Sequence, residues 1–268
     1  MIQGFALSIA LGLGLLNLGF VQLVSVEDEI KIGREAQDEV KRQVPELRDR
    51  AVTNYVREIG RRLTAHAPGP KYPYSFSVAD YREINAFALP GGPVWVHRGA
   101  LGAARTEAQF AGVVAHEVAH IAQRHAADQL TKAMVANGLL GLLGAVLGND
   151  GSGRAANIAA GLFAEGLFLK FGRDGEREAD RVGAQIMQRA GWDPRGMVEF
   201  LQVLREKQGR DPSGVEIFLS THPSPGGRSD ELEAEVRRLG SGRRDTNEFQ
   251  QIRRRLDHLP PPKSMPRR

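Results

Sequence analysis

The stretch His116-Glu117-Val118-Ala119-His120 carries the strongest chemical signal in the 268-residue sequence, and the fold reads outward from it. Residues four apart on a helix lie on one face, one turn above the other, so both imidazoles can reach a single metal ion. Glu117 sits about 100° further round the helix. It borders such a metal without having to bind it, and it can take a proton from a water that the metal activates. The flanks support a helix. Thr106 precedes Gln109 by three residues, the spacing of a capping box. Phe110, Val113, Val114, Val118 and Ile121 supply an apolar face, and no glycine or proline interrupts the helix after Gly112.

A catalytic zinc takes three protein ligands and keeps a fourth position open. A third histidine six residues after His120 would complete the metzincin pattern. That position is Ala126, and His125 falls one residue short. The alternative is a carboxylate on a later helix. The run Gly172-Arg173-Asp174-Gly175-Glu176-Arg177-Glu178-Ala179-Asp180-Arg181-Val182-Gly183 offers candidates. Glu176 and Asp180 share a helical face with Gly183 and Met187, a face that is otherwise apolar. Glu176 as ligand and Asp180 as the hydrogen-bond partner of a ligand histidine would account for two acids there. Glu178 is the rival ligand. Surface salt bridges with Arg173, Arg177 and Arg181 are the plainer use of the same acids.

Around this centre the chain reads as alternating blocks. Residues 4–24 are almost wholly apolar, enough for an uncleaved membrane anchor, with a cleaved signal sequence or a buried helix as the alternatives. Val26–Val44 and Asp49–His66 read as amphipathic helices, the second with Val52, Tyr55, Val56, Ile59 and Leu63 at steps of three and four. Residues 74–78, 85–89 and 94–97 read as strands, the last two joined by Pro90-Gly91-Gly92-Pro93, and the proline at a strand start suggests an edge position. Residues 133–147 and 155–171 are apolar and rich in glycine and alanine, expected as buried core helices or, failing that, a membrane-facing hairpin. Helical pattern resumes over 173–189. From Arg228 onward charged surface helices are expected, ending in a disordered Pro- and Arg-rich tail at 260–268.

Composition excludes several functions. There are no cysteines, so thiolate metal sites, disulfides and cysteine nucleophiles are out. A net charge of +4 with interleaved acids, and 6% aromatics, argue against a nucleic-acid partner. An apolar share of 41% fits a folded domain with a substantial core.

HEVAHIAQRH at 116–125, followed by GEREADRVG at 175–183, resembles the membrane-associated gluzincins of peptidase family M48. Asn85-Ala86-Phe87-Ala88-Leu89-Pro90-Gly91-Gly92 resembles that family's strand beside the active site, and Thr221-His222-Pro223 with Arg228 resembles its late His-Pro motif. The resemblance covers residues 26–240 and implies one metallopeptidase domain there, with a charged C-terminal extension at 241–268. It implies an α+β, zincin-like fold, mainly helical with a small, mostly antiparallel sheet. It implies one zinc per subunit held by His116, His120 and Glu176, which selects Glu176 over Glu178. Glu117 is then the general base. Asp180, Asn85 and Arg228 would position ligands or substrate. His222 would either block the zinc or aid catalysis. The expected task is hydrolysis of unfolded or misfolded proteins, on the periplasmic side of a bacterial envelope. A zinc-containing chaperone or assembly factor with a mostly closed site is the alternative.

Overall fold

The computed structural model describes residues 23–136, 171–210, 214–222 and 228–266. The expected anchor at 4–24 lies outside these apart from its last two residues, and so does most of the apolar stretch 133–171. Among the described residues no helix is long and apolar enough to cross a membrane.

Two amphipathic helices open the domain, α1 (Val26–Gln43) and α2 (Arg50–Thr64). Ser25 caps α1 in a full capping box with Asp28, and Asp49 caps α2 through the backbone N–H of Val52. The sheet follows with β1 (Ser75–Ala79), β2 (Ala86–Ala88) and β3 (Pro93–His97) in the order β1-β3-β2. It is mixed rather than mostly antiparallel: β1 runs parallel to β3, while β2 runs antiparallel to it. The Pro90–Pro93 turn does reverse the chain, with Gly91 at φ 69° and Gly92 at φ 134°, a region open to glycine. Pro93 nevertheless opens the central strand, not an edge. Its missing N–H falls at the strand's first residue, where its carbonyl still accepts from Leu89.

Next come α3 (Arg98–Ala103) and α4 (Glu107–Ala122). The sequence suggests one apolar face on α4, but all 16 of its residues are buried. Gln109 does not complete the expected capping box. Thr106 caps its backbone N–H, while its side-chain oxygen accepts from the backbone of Arg105. Helix α5 (His125–Ala136) leaves α4 at a sharp turn, and α6 (Arg173–Arg189) and α7 (Arg195–Arg210) pack along α4. Helices α8 (Glu216–Thr221), α9 (Arg228–Leu239) and α10 (Asn247–Asp257) close the domain.

The basic tail is not disordered through residue 266. Lys263 exchanges backbone hydrogen bonds with Asp80 and Arg82, and the N–H of Met265 donates to Glu83 at 3.0 Å. Buried Arg98 donates to the carbonyls of Leu256 and Pro260, both at 2.6 Å. Backbone pairing beside β1 thus holds a segment whose composition promises none.

Small residues set how closely the helices approach. A Cβ placed on Gly183 of α6 would lie 3.2 Å from the backbone of Ala115 and His116 on α4. Gly183→Val is therefore expected to push α6 off α4, destabilise the fold by about 1–3 kcal/mol in urea unfolding and weaken zinc binding. Gly209→Ala, with nothing within 4 Å, should be neutral or slightly stabilising.

Candidate active site

The buried turn of α4 brings His116, Glu117 and His120 to one end of the core, each under 7% exposed. Helix α6 supplies Glu176, which is fully buried, and α8 ends at His222, which is 2% exposed. His116, His120, Glu176 and His222 each offer one donor atom, and these atoms lie within 4.8 Å of one another. His116 Nε2 is 3.0 Å from His120 Nε2 and 3.3 Å from His222 Nδ1. Glu176 Oε1 is 3.1 Å from His222 Nδ1 and 3.4 Å from His120 Nε2, and its Oε2 is 3.6 Å from His116 Nε2.

Zinc–ligand distances of about 2.0–2.1 Å place neighbouring donors of a tetrahedral site about 3.3 Å apart. The observed spacings straddle that value. Three imidazole nitrogens and one carboxylate suit zinc rather than calcium or magnesium, which prefer oxygen. The group therefore fits the metal on both geometry and chemistry.

Electrostatics separates the roles. Asp180 Oδ1 lies 3.0 Å from His116 Nδ1, the nitrogen that faces away from the donor group. Burial disfavours a charged His116, but Asp180 and Glu176 outweigh it and raise its pKa to about 10. Burial would raise the Glu176 carboxyl, yet His222, His116 and His120 hold it well below the usual carboxylate range. Burial pushes His120 well down. Glu117 is different. Burial raises its carboxyl, only partly offset by His222, His116 and the backbone of Ala88, and neither oxygen makes a well-formed hydrogen bond. Its Oε1 sits 3.5 Å from His222 Nε2. Glu117 is thus a buried, weakly satisfied carboxyl at the edge of the donor group, its pKa raised by burial.

Glu178 is not in the group: its side chain is 44% exposed and lies 3.4 Å from His125 Nε2. Asn85 is buried just before β2, with its side-chain oxygen unpaired, and is not among the residues lining the cavity beside Glu117. Arg228 opens α9, and its side chain lies outside the described residues. Sequence reasoning dismissed His125, whose Nδ1 is 2.8 Å from His120 Nδ1. It also overlooked Phe171, stacked on His120 with ring centroids 4.0 Å apart, and the apolar wall of Met197, Phe200, Leu201 and Phe218 beside Glu117. The periodicity of α4 could not find these, because all lie outside that helix, beyond a turn or on α7 and α8.

The sequence profile of Peptidase family M48 matches residues 50–236. The chain belongs to that family. The beta-barrel assembly-enhancing protease of Escherichia coli (strain K12) is 33% identical over 210 residues, covering 76% of this chain and 43% of that protein. The mitochondrial metalloendopeptidase OMA1 of Schizosaccharomyces pombe is 32% identical over 197 residues, covering 71% of this chain and 57% of that protein. OMA1 of Arabidopsis thaliana is 38% identical over 146 residues, covering 54% of this chain and 28% of that protein. This chain thus spans less than half the length of the first of these relatives. The buried donor group of this M48 member fits a zinc ion.

In this M48 domain the metal competes with a proton. His116 must be neutral to bind zinc, and without metal its pKa is about 10. Apparent zinc affinity should therefore rise about tenfold per pH unit between about pH 6.5 and 8.5, as read by competition with a chelator. Affinity that is flat over that window would contradict the His116–Asp180–Glu176 arrangement.

Proposed function

We propose that this chain is a zinc-dependent endopeptidase that cleaves unfolded or misfolded proteins at or near a membrane, with His116, His120 and Glu176 holding the metal and Glu117 as general base. The donor group at zinc spacing, with Glu117 against it, is the observation that supports this most. Bound there, zinc would supply a Lewis acid that polarises the scissile carbonyl and acidifies water. Glu117 takes the proton of the water whose oxygen attacks the carbonyl carbon. It then delivers that proton to the nitrogen as the C–N bond breaks. Burial favours this, because it raises the Glu117 carboxyl and so strengthens it as a proton acceptor. Asp180 fixes the tautomer of His116 by taking its Nδ1–H, which leaves Nε2 free to bind metal.

Strand β2 is one of the two outer strands of the sheet, and among the described residues no further strand pairs with it. Its Ala88 backbone neighbours Glu117. An extended substrate adding to this edge would pass directly over the base, bound through its main chain and with little regard to side chains. Such binding suits unfolded chains. Two relatives are named for beta-barrel assembly and for mitochondria, which supports quality control of membrane proteins, and by resemblance the periplasmic side of an envelope.

A specific observation favours a resting state that is closed. His222 Nδ1 stands within the donor group, so protein atoms could supply all four ligands of a bound zinc. A protein that mostly holds this state would act more as a zinc-containing assembly factor. Casein digestion by the zinc-loaded chain distinguishes the readings. Glu117→Gln should keep its zinc and lose at least about a hundredfold in rate. His222→Ala should keep its zinc and cut faster than the wild type. A Glu117→Gln variant as active as the wild type would remove Glu117 from its role.

A further inference from the structure

We propose that His125 is a positioning residue for the zinc site: it accepts the Nδ1 proton of His120 and so fixes the ring whose Nε2 binds the metal. The inference rests on the proposed role of His120 as a ligand. If His120 Nε2 faces the metal, its Nδ1 must carry the proton. That nitrogen lies 2.8 Å from His125 Nδ1, and both rings are buried. His125 Nδ1 must then be the acceptor, which leaves its own proton on Nε2. His125 Nε2 in turn lies 3.4 Å from Glu178 Oε2, an acceptor at the protein surface. The hydrogens run in one direction, from His120 to His125 to Glu178. The acid that competes with Glu176 in the sequence thus ends the chain behind the second ligand, as Asp180 stands behind the first.

The turn that delivers His125 is built for the purpose. On an uninterrupted helix a residue five after His120 would lie about 140° round the axis and could not meet it. Arg124 breaks the helix with φ 61°, a left-handed conformation that a residue with a Cβ rarely adopts. Its side chain is clamped in place. Nε donates to Glu29 at 2.8 Å, and a terminal nitrogen donates to the carbonyl of Val24 at 2.6 Å. Tyr72 donates to the same Glu29 oxygen at 2.6 Å. On its other sides the His125 ring meets Phe171 and the first turn of α6, where a Cβ on Gly175 would lie 3.8 Å from it. A ring so enclosed has one orientation available.

The test measures zinc affinity of the full chain by chelator competition, alongside the unfolding midpoint of the metal-free protein. His125→Asn keeps an acceptor oxygen near the place of Nδ1. His125→Leu fills similar space with none. Loss of such a partner weakens metal binding by about 10–100-fold. His125→Leu is expected to show that loss, and His125→Asn to stay within about threefold of the wild type. The absorption of the cobalt-substituted protein should shift in the first and not in the second. Leu binding zinc as tightly as wild type would overturn the proposal. So would equal losses in Leu and Asn, which would mark His125 as packing alone. A wild type that binds no zinc would overturn both this inference and the proposed site. Wild-type binding with an unaffected Leu variant overturns only the role of His125.

Discussion

The constraint on which the rest depends is that a helix buried along its whole length carries four ionisable groups into the core, three of them toward its C-terminal end. Transfer of His116, Glu117 and His120 out of water is costly unless each finds a partner. The architecture around α4 supplies those partners. Helix α6 brings Glu176 and Asp180, the α4–α5 turn brings His125, and α8 brings His222. Glu117 alone is left with no well-formed hydrogen bond, as its proposed role of general base would require. The same logic holds at the other end of α4. Buried Glu107 accepts from Trp192 Nε1 at 2.9 Å, and the guanidiniums of Arg62 and Arg243 each lie over the Trp192 ring.

Close approach between helices makes that partnering possible. Gly183 lets the backbone of α6 lie against Ala115, and Gly196 does the same for α7 against Ala108. Carboxylates one turn apart on α6 then reach opposite nitrogens of His116: Asp180 meets Nδ1 and Glu176 faces Nε2. A wider helix pair would leave the short aspartate side chain unable to reach. The spacing of two acids by four residues therefore has meaning only together with the glycine three residues later.

Much of this was legible in the sequence because it is local and periodic. The ligand pair on α4, the bounds of α6 and the facing of Glu176 and Asp180 follow from a 3.6-residue repeat. What was hidden is non-periodic or long-range. His125 pairs with His120 only because Arg124 is left-handed, and no pattern in the residues announces that. The parallel pairing of β1 with β3 depends on which strands meet across the intervening chain, not on either strand's alternation. Lys263 pairs beside Tyr81 through backbone alone, so composition pointed toward disorder. Helix α4 looked one-faced because His, Glu and Gln read as polar, although each is buried.

The arrangement at α8 ties access to the metal to access for a substrate side chain. His222 is the C-cap of that helix, and Phe218, one turn earlier, stacks on it with centroids 4.7 Å apart. Phe218 also lines the cavity that Gly112, Val113, Met197, Phe200 and Leu201 form beside Glu117. That cavity has a volume of about 20 Å³, room for about one water and not for a side chain. The two rings belong to one short helix, so a displacement of α8 that withdraws the imidazole from the donor group moves the phenyl as well. The fourth vertex of the metal site and the apolar space beside the base would then open together.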